Sequence, residues 1–375
     1  MSDRKLVLID GSALVYRAFY AIPGNLHTAS GVPTNAVYGF ALMFKKLFAG
    51  RKPDFGAVVF DAPGRTFRDE QFADYKAQRE SMPEPLVEQL PWIDKLVTAH
   101  GFPILRVPGY EADDVIGTLT KLGVAAGMQV LIVSGDKDFC QLLADGVRML
   151  DAMRDITYDP ELVRKKWGVM PERFVDLLAL MGDSIDNIPG VPGIGQKSAA
   201  TLLERFGSLQ SALDHAGEVK GKQGALLLSH RAQALLSQSL ARIDTAVPLP
   251  LSLADLELHP PDETPLAALY TELEFLSLLT ERGPAVASHG ATLREGELEA
   301  WLAQAQDIVS LVAFDDGAPR PAWRGVGLCD GARVASLAFT ALPRSLAHVS
   351  RGRSAEACAR SQALVALVPR GCGLW

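Results

Sequence analysis

The sequence predicts an α/β protein built on a doubly wound, mainly parallel sheet. Short runs rich in Val, Ile and Leu alternate with longer segments of helical periodicity through the N-terminal half. The short runs are continuously apolar, which is typical of parallel strands buried on both faces. In such sheets, ligands bind beyond the carboxyl ends of the strands.

The strands and helices of this sheet are predicted in order along the chain. Strands are predicted at residues 5–10, 55–61, 127–136 and 147–151. Helices are predicted at residues 12–21, 35–49, 84–101, 111–127 and 136–144. This alternation gives the crossover connections that parallel strands require.

The chain divides into three predicted regions. The α/β pattern occupies residues 1–170, and residues 171–288 are helical, with Gly and Pro interruptions and a closing amphipathic helix at 265–282. Residues 289–375 are predicted as a small α+β segment, with one helix, a strand meander and an unassigned tail.

Composition excludes several classes of protein. The net charge of −7 argues mildly against a nucleic-acid partner unless the acids are concentrated in a metal site. We expect a cytoplasmic protein without a membrane partner, because the N-terminus has no signal-peptide pattern and no apolar run reaches membrane-spanning length. The four cysteines lack CxxC spacing, so no zinc site or disulfide framework is predicted.

Nine carboxylates lie in five separate segments of the N-terminal half. Asp10, Asp61 and Asp136 each follow a predicted strand, so we expect them at one edge of the sheet. Oxygen ligands without His or Cys suit Mg²⁺, with Mn²⁺ as a substitute, and two such ions about 3.5–4 Å apart can hold both reacting oxygens of a phosphoryl transfer. The predicted metal ligands are Asp10, Asp61, Glu111, Asp113, Asp114, Asp136, Asp138, Asp183 and Asp186.

Each acidic segment also has a purely structural interpretation. Asp10 suits a helix N-cap, Asp61 suits a turn, and the 111–114 cluster suits the positive end of a helix dipole. Lys137 can neutralise the acids beside it, and residues 183–187 match a capping pattern. The metal hypothesis is favoured because all five of these interpretations would otherwise have to hold at once.

The string GVPGIGQKSA at residues 190–199 predicts a glycine turn that leads into a helix. Glycine allows close backbone approach, and N–H groups at a helix N-terminus bind phosphate, so we expect contact with a nucleic-acid backbone. The carbonyl groups of the 190–195 turn could also hold K⁺, and the alternative is an ordinary packing corner between two helices. The predicted contacts are Gly190, Val191, Gly193, Ile194, Gly195, Gln196, Lys197 and Ser198.

Cations and aromatic rings alternate between residues 64 and 86. Positive charges for phosphates and rings for bases suit a single strand of nucleic acid. Considered alone, the segment favours a solvated helix with i,i+4 ion pairs. The residues concerned are Arg65, Phe67, Arg68, Phe72, Tyr75, Lys76 and Arg79.

Six strings, in order, resemble the 5′→3′ exonuclease, or flap endonuclease, domain at the N-terminus of bacterial DNA polymerase I. They cover about residues 1–285 and are LVLIDGSALVYRAFYA, VVFDAPGRTFRDEQFADYKAQR, PGYEADDVIGTL, LIVSGDKDFCQLL, LMGDSIDNIPGVPGIGQKSAATLL and ALLSQSLARIDTAVPL. The resemblance implies a PIN-like 5′ nuclease fold with a helical arch and a helix–three-turn–helix subdomain of the helix-hairpin-helix type. Residues 1–170 would be the metal-site domain, residues 171–288 the DNA-binding subdomain, and residues 289–375 the truncated, degenerate start of a 3′→5′ exonuclease-like domain.

The resemblance also implies roles for individual residues. The nine acids would form the metal site, with Asp10, Asp61, Glu111, Asp113 and Asp114 at the first ion and Asp136, Asp138, Asp183 and Asp186 at the second. Lys76 and Arg79 match the basic pair that faces the scissile phosphate, so together with Asp113 they are the predicted catalytic residues. Arg68 and Tyr75 fall in the same arch and are predicted to contact DNA.

The implied function is structure-specific hydrolysis of 5′ flaps, RNA primers and the 5′ ends of duplex DNA in replication and repair. Its partner would be branched duplex DNA, a 5′ flap or an RNA–DNA primer junction, and the chain would act as a monomer. Two alternatives remain open: a non-catalytic branched-DNA-binding remnant of a polymerase I gene, and a PIN-like ribonuclease.

The C-terminal region departs from the family pattern. No polymerase domain follows, so no polymerase activity is expected. Asp315-Asp316-Gly317 replaces the Asp-x-Glu of a proofreading site, so no proofreading is expected. The residues after about 343 match nothing in the family, and a shifted reading frame or a fragment are both open interpretations.

Overall fold

The computed structural model describes residues 4–48 and 53–281, together with four strands farther along the chain. It divides into one unit at Met1–Leu279 and a second at Thr280–Trp375.

The first unit is built on a six-stranded sheet. Its strands are β1 (Lys5–Asp10), β2 (Phe55–Val59), β3 (Ile104–Leu105), β4 (Gln129–Val133), β5 (Val147–Asp151) and β6 (Ile156–Tyr158). The spatial order is β3-β2-β1-β4-β5-β6, and every pairing is parallel except that of β5 with β6. The predicted fold class is confirmed: an α/β unit on a mostly parallel sheet.

Helices connect and cover these strands. They are α1 (Gly11–Ala21), α2 (Asn35–Phe48), α3 (Phe67–Gln71), α4 (Glu84–Val87), α5 (Leu90–Ala99), α6 (Ala112–Ala125), α7 (Pro160–Trp167), α8 (Phe174–Met181), α9 (Gln196–Phe206), α10 (Leu209–Asp214), α11 (Lys222–Ser229), α12 (Arg231–Ala241), α13 (Glu263–Glu272) and α14 (Leu276–Glu281). Short 3₁₀ helices occupy Lys137–Leu142, Pro171–Arg173, Ala216–Glu218 and Leu253–Leu256.

The sheet is buried on both faces because successive strand residues point to opposite sides. In β1, Leu6 and Leu8 join a core cluster shared with α6 and α8, whereas Val7 and Ile9 join a cluster shared with α1, α2, α5 and α13. The register pairs Asp10 with Val59 and Ile9 with Val133. The segments that follow β1, β2 and β4 therefore begin at one edge of the sheet.

The predicted helix at 84–101 is instead two helices. Pro91 lies in the first turn of α5, where its missing N–H costs nothing. The fully buried Gln89 lies between the two helices, and its side-chain oxygen accepts hydrogen bonds from the N–H groups of Ala36 and Val37 at the start of α2, at 2.7 and 3.2 Å. Hydrophobic periodicity cannot predict a polar tertiary contact of this kind.

Three other predicted elements differ in detail. The helix predicted at 136–144 is a 3₁₀ helix, and the closing helix predicted at 265–282 is divided into α13 and α14 at Glu274, whose φ is +60°. Strands β3 and β6 were not predicted, because runs of two and three residues carry no periodicity. In the segment predicted as an arch, α3 is followed by turns at residues 73–78 and by irregular chain at residues 79–83.

The second unit contains a four-stranded sheet in the order β7-β10-β9-β8. Its strands are β7 (Ala291–Leu293), β8 (Ser310–Asp315), β9 (Trp323–Cys329) and β10 (Val334–Ala338), and β8, β9 and β10 form an antiparallel meander. Asp315 ends β8, whereas Asp316, Gly317, the predicted helix of this region and the tail lie outside the described residues.

Candidate active site

A cleft of about 450 Å³ opens at the carboxyl edge of the sheet. Its walls carry five of the nine predicted acids, which we name the cleft group: Asp10, Asp61, Glu111, Asp113 and Asp136. Lys76 and Arg79 line the same cleft. The structure therefore brings the three strand-end acids together with the start of α6 and the basic pair.

Asp10 is held rigidly at the end of β1. One carboxylate oxygen caps α1 by accepting from the N–H of Ala13 at 2.9 Å, and the other accepts from the Ser134 hydroxyl at 2.8 Å. Burial, reinforced by the charges of Asp61 and Asp136, raises the pKa of Asp10 to about 7. The N-cap interpretation is thus correct for Asp10, and the residue also faces the cleft.

The acids at the start of α6 point in different directions. Glu111 and Asp113 face the cleft, and burial together with the charge of Asp136 raises the pKa of Asp113 well above its usual range. Asp114 is fully buried, and its two oxygens accept from the Arg68 guanidinium at 2.7 Å each. Asp114 also accepts from the N–H of Asp244 at 2.8 Å. Direct metal binding by Asp114 was predicted, but the carboxylate is fully buried, lies outside the cleft lining and is engaged in this ion pair.

Arg68 and Tyr75 support the cleft from behind. Arg68 is 2% exposed, and it also donates to Glu111 at 3.1 Å and to the carbonyl of Leu240 at 2.9 Å. Tyr75 is 5% exposed, and its hydroxyl donates to Glu111 at 3.0 Å. Both were predicted to contact DNA, yet their polar groups are satisfied inside the protein, so their position is that of supports for Glu111.

A second cluster lies beside the cleft, and we name it the buried group: Asp138, Asp183 and Asp186. One carboxylate oxygen from each lies within 4.8 Å of the others. Burial, with the charge of Asp136 adding to it, raises the pKa of Asp138 to about 8. The ammonium of Lys137 donates a hydrogen bond to Asp183 of this group.

Lys76 connects the two groups. Its Nζ donates to Glu111 at 2.5 Å and lies 3.7 Å from Asp186, while Arg79 approaches Asp186 at 3.4 Å. The backbone of Lys76 is left-handed (φ +51°), and its N–H bonds the carbonyl of Asp186. Burial alone would lower the pKa of Lys76, but Glu111 and Asp186 outweigh that effect and hold the pKa well above its ordinary value.

The two groups fit divalent cations. Their donors are all carboxylate oxygens, which suit hard cations such as Mg²⁺ and Mn²⁺. Oδ1 of Asp138 is buried without a hydrogen bond, although Nζ of Lys137 lies 3.4 Å away in ion-pair contact. Carboxylates whose pKa values are raised by burial and by one another are the groups that a divalent ion would stabilise in the charged form.

Sequence reasoning missed two aromatic residues of the cleft. Tyr16 and Tyr20 line it from α1, four residues apart, and Tyr20 is 70% exposed. The signal was available: in an α-helix that starts at a strand-end acid, positions i and i+4 share a face.

The predicted nucleic-acid turn separates into buried and exposed residues. Val191 and Ile194 are buried in the core, and Gly190 donates its N–H to Ser237 and packs against the Gly182 backbone so closely that a Cβ would clash. These three were predicted as contacts, but they anchor the turn instead. The remaining residues form the outer side of the turn and the first turn of α9: Gly193, Gly195, Gln196, Lys197 and Ser198.

On this outer side of the turn, two side chains that were predicted to contact nucleic acid already have hydrogen-bond partners in the protein. Gln196 donates to the carbonyl of Lys166 at 3.0 Å, and Ser198 accepts from Gln223 at 3.0 Å. Lys197 is exposed, and Gly195 caps α9 without a side-chain hydrogen bond. As at any helix N-terminus, the first N–H groups of α9 have no partner within the helix. Gly195 has no side chain that could cap them either.

Comparisons with known proteins agree on one family. Residues 5–168 match the family described as 5'-3' exonuclease, N-terminal resolvase-like domain, and residues 169–264 match 5'-3' exonuclease, C-terminal SAM fold. The 5'-3' exonuclease of Aquifex aeolicus is 40% identical over 278 residues, which cover 74% of this chain and 95% of that protein.

Polymerase relatives extend well beyond the matched part. DNA polymerase I of Bacillus caldotenax is 46% identical over 281 residues, which are 74% of this chain but 32% of that protein, so the match spans about a third of the polymerase. Among solved structures, a T5 5'-exonuclease with bound divalent metal ions (zinc) is 26% identical with a TM-score of 0.55, covering 64% of this chain and 90% of that one. In the part of the chain that the structure describes, no helix is both long and apolar enough to cross a bilayer.

Proposed function

Because this chain belongs to the 5'-3' exonuclease family, we propose that it is a metal-dependent 5′ nuclease that hydrolyses phosphodiester bonds at 5′ flaps, RNA primers and the 5′ ends of duplex DNA. One observation carries the proposal: five carboxylates and two cationic side chains face one cleft at the carboxyl edge of the sheet. A family match without this convergence would support only the fold.

The ligand assignment follows from where the structure places each acid, in the cleft lining or in the buried group. In this proposal, the cleft group holds one divalent ion, Mg²⁺ or Mn²⁺, and the buried group serves a second. Such ions activate water and stabilise the attacking and leaving oxygens of a phosphoryl transfer. Asp114 is excluded as a direct ligand because it is fully buried away from the cleft lining, where both of its oxygens pair with Arg68.

Lys76 and Arg79 act on the phosphate in this proposal. Arg79 is 54% exposed, and Lys76 reaches the cleft from a turn rather than from a regular helix, so both can exchange a carboxylate for a phosphate oxygen. Charge-assisted hydrogen bonds from these groups would stabilise negative charge that develops on the scissile phosphate.

The proposed DNA-binding element is the outer side of the 190–198 turn. N–H groups at the start of α9 and the ammonium of Lys197 suit a duplex phosphate, and carbonyls of the 190–195 turn are candidate K⁺ ligands. We propose branched DNA as the substrate and a monomer as the active form. The boundaries 1–170, 171–288 and 289–375 stay our proposed domain division.

A labelled flap tests the proposal. With a DNA duplex that carries a 5′-fluorescent flap and with Mg²⁺, we expect cleavage near the junction, no cleavage in EDTA, and a loss of about 10³-fold in rate for Asp113→Ala, because that variant removes a cleft carboxylate. Asp145→Ala removes an exposed acid outside both groups and should cut like the wild type.

The same assay separates the alternatives. Equal rates for Asp113→Ala and the wild type would refute the site. Tight binding of the flap without metal-dependent cutting would instead favour a non-catalytic remnant. Faster turnover of an RNA hairpin than of the DNA flap would favour a PIN-like ribonuclease.

A further inference from the structure

The ammonium of Lys137 contacts two of the three acids of the buried group. Lys137 begins the 3₁₀ helix that follows Asp136, and its Nζ donates to Oδ2 of Asp183 and lies 3.4 Å from Oδ1 of Asp138. Its side chain is 22% exposed, whereas those of Asp138 and Asp183 are 9% and 5% exposed. The cation thus reaches inward from the rim of the group.

The oxygens that Lys137 contacts belong to the carboxylates that fit a metal ion. The three acids bring one oxygen each within 4.8 Å of the others, and Oδ1 of Asp138 has no hydrogen bond. When all three acids are ionised, the ammonium of Lys137 offsets one of their three negative charges. Lys76 and Arg79 lie 3.7 and 3.4 Å from the third acid, Asp186. Lys137 therefore compensates the group only in part.

An ammonium and a divalent ion compete for the same oxygens. Both are attracted by the carboxylates, and they repel each other at the distances found here. Because Lys137 is one residue from Asp138 along the chain, it stays close to the group after displacement. From this geometry we propose that Lys137 is a built-in, displaceable cation that stabilises the buried group in the metal-free protein and weakens its affinity for the second ion.

This inference rests on the proposed function, since it concerns the second ion of the same site. It adds a positioning residue that sets when the second ion binds. Lys76 cannot replace Lys137 in this role, because its shorter contact is with Glu111 of the cleft group and its Nζ is 3.7 Å from Asp186.

Metal binding without DNA tests the proposal directly. Free Mn²⁺ is counted by electron paramagnetic resonance while the metal-free protein is titrated. We expect Lys137→Gln to tighten the weaker class of Mn²⁺ sites by at least about tenfold, because one repelling charge is removed within a few ångströms. The tighter class should change by less than about threefold.

Two further variants control for charge and for surface effects. Lys137→Arg keeps the charge and should leave the weaker class within about threefold of the wild type. Lys121→Gln removes an exposed lysine of α6 and should change neither class. Unchanged or weakened Mn²⁺ binding in Lys137→Gln would overturn the proposal.

A measurement on the wild-type chain does not depend on how the variants fold. Lys137 is acylated with an amine-reactive ester, and its modification is followed by mass spectrometry with and without saturating Mn²⁺. We expect Lys137 to react at least about fivefold faster when Mn²⁺ is bound, while Lys121 reacts equally in both conditions. Slower or equal reaction of Lys137 would contradict displacement.

These outcomes can be distinguished from failure of the proposed function. A wild-type chain that binds Mn²⁺ in two classes but cuts no flap would refute the nuclease and leave the Lys137 result standing. A chain that cuts flaps but shows no effect of Lys137→Gln on Mn²⁺ binding would refute only the displaceable cation.

Discussion

The cleft group and the buried group are built in different ways. The cleft group comes from the ends of β1 and β4, the segment after β2 and the first turn of α6, all fixed by the parallel sheet, and it opens onto solvent. The buried group joins Asp138 to two acids of the loop after α8, and Lys137 forms ion pairs with Asp138 and Asp183. Under the proposed function, the cleft group would orient the reacting phosphate, whereas the buried group would set the charge beside it.

Their supports differ as well. Arg68 and Tyr75 hold Glu111 from the interior, so the cleft group has fixed partners on its protein side. The buried group has Lys137 on its open side, and Asp183 also accepts from the N–H of Ile185 in its own loop. A fixed group should respond to mutation mainly in catalysis, and a tunable one mainly in metal affinity.

The largest expected effect separates the two groups by catalysis. Asp10→Asn should lower flap cleavage by about 10³-fold at any Mg²⁺ concentration, because it changes a preorganised group in the cleft. Asp183→Asn should lower cleavage by about 10–100-fold at low Mg²⁺ and recover with more Mg²⁺, because it weakens the affinity for the second ion. The measurement is single-turnover cleavage of the labelled flap across a Mg²⁺ series.

The comparison fails if both variants lose activity equally and neither recovers. Equal, unrecoverable losses would mean that both groups act on the reacting atoms themselves. Asp145→Asn, which changes an exposed acid, serves as the matched control and should follow the wild type at every Mg²⁺ concentration.

The cleft group is the part of the site that sequence could predict best. Asp10, Asp61 and Asp136 follow apolar runs, and parallel strands must bring their carboxyl ends to one edge. Glu111 and Asp114 are three residues apart, a spacing that places both on one helix face, and Arg68 contacts both. Only Asp114 gives both of its oxygens to Arg68, whereas Glu111 also accepts from Tyr75 and Lys76. This difference depends on a contact between α3 and α6 that no local pattern encodes.

The limits were similar at the 190–198 turn. Glycine and Lys197 predicted a phosphate-binding turn, but Val191 and Ile194 are core residues, as their apolar side chains alone would suggest. Gly190 is needed for close packing on Gly182 rather than for approach to a ligand. Close backbone packing inside a fold and close approach to a ligand impose the same residue, so the sequence could not distinguish them.

The next prediction tests whether the buried Arg68 and Tyr75 hold Glu111 of the cleft group in place. Arg68→Ala should lower the free energy of unfolding by about 3–5 kcal/mol, because Asp114 would be left as a buried, uncompensated charge. Tyr75→Phe removes one hydrogen bond to Glu111 and should cost about 1 kcal/mol. Urea unfolding of the metal-free proteins measures both.

Arg65→Ala provides the matched control for Arg68, because it removes a nearby, exposed arginine. It should change the free energy of unfolding by less than about 0.5 kcal/mol. If Arg68→Ala were as stable as Arg65→Ala, the ion pair with Asp114 would not stabilise the fold as inferred. Direct contact of Arg68 with DNA would then be the better hypothesis.

The smallest effect compares the two groups through pH in the absence of metal. The pKa values of Asp10 and Asp138 are raised to about 7 and about 8 from an ordinary value of 3.8. The folded protein therefore holds protons that the unfolded chain releases, so the stability that each acid contributes is complete below about pH 4 and is lost as pH rises through its folded pKa. Asn imitates the protonated acid. In EDTA, Asp10→Asn and Asp138→Asn should thus be more stable than the wild type at pH 8.5, on the order of 1–3 kcal/mol, with little difference at pH 4.

The gain should have the same sign in both groups, because burial raises the pKa of both carboxyls. Each gain should grow as the pH rises from about 4 and should level off once the pH has passed the raised pKa. Urea unfolding at half-unit pH steps follows both curves, and Asp145→Asn should show neither gain. Variants that are less stable than the wild type at pH 8.5 would mean that both carboxylates are already compensated by the protein, and the need for divalent ions at this edge of the sheet would lose its electrostatic basis.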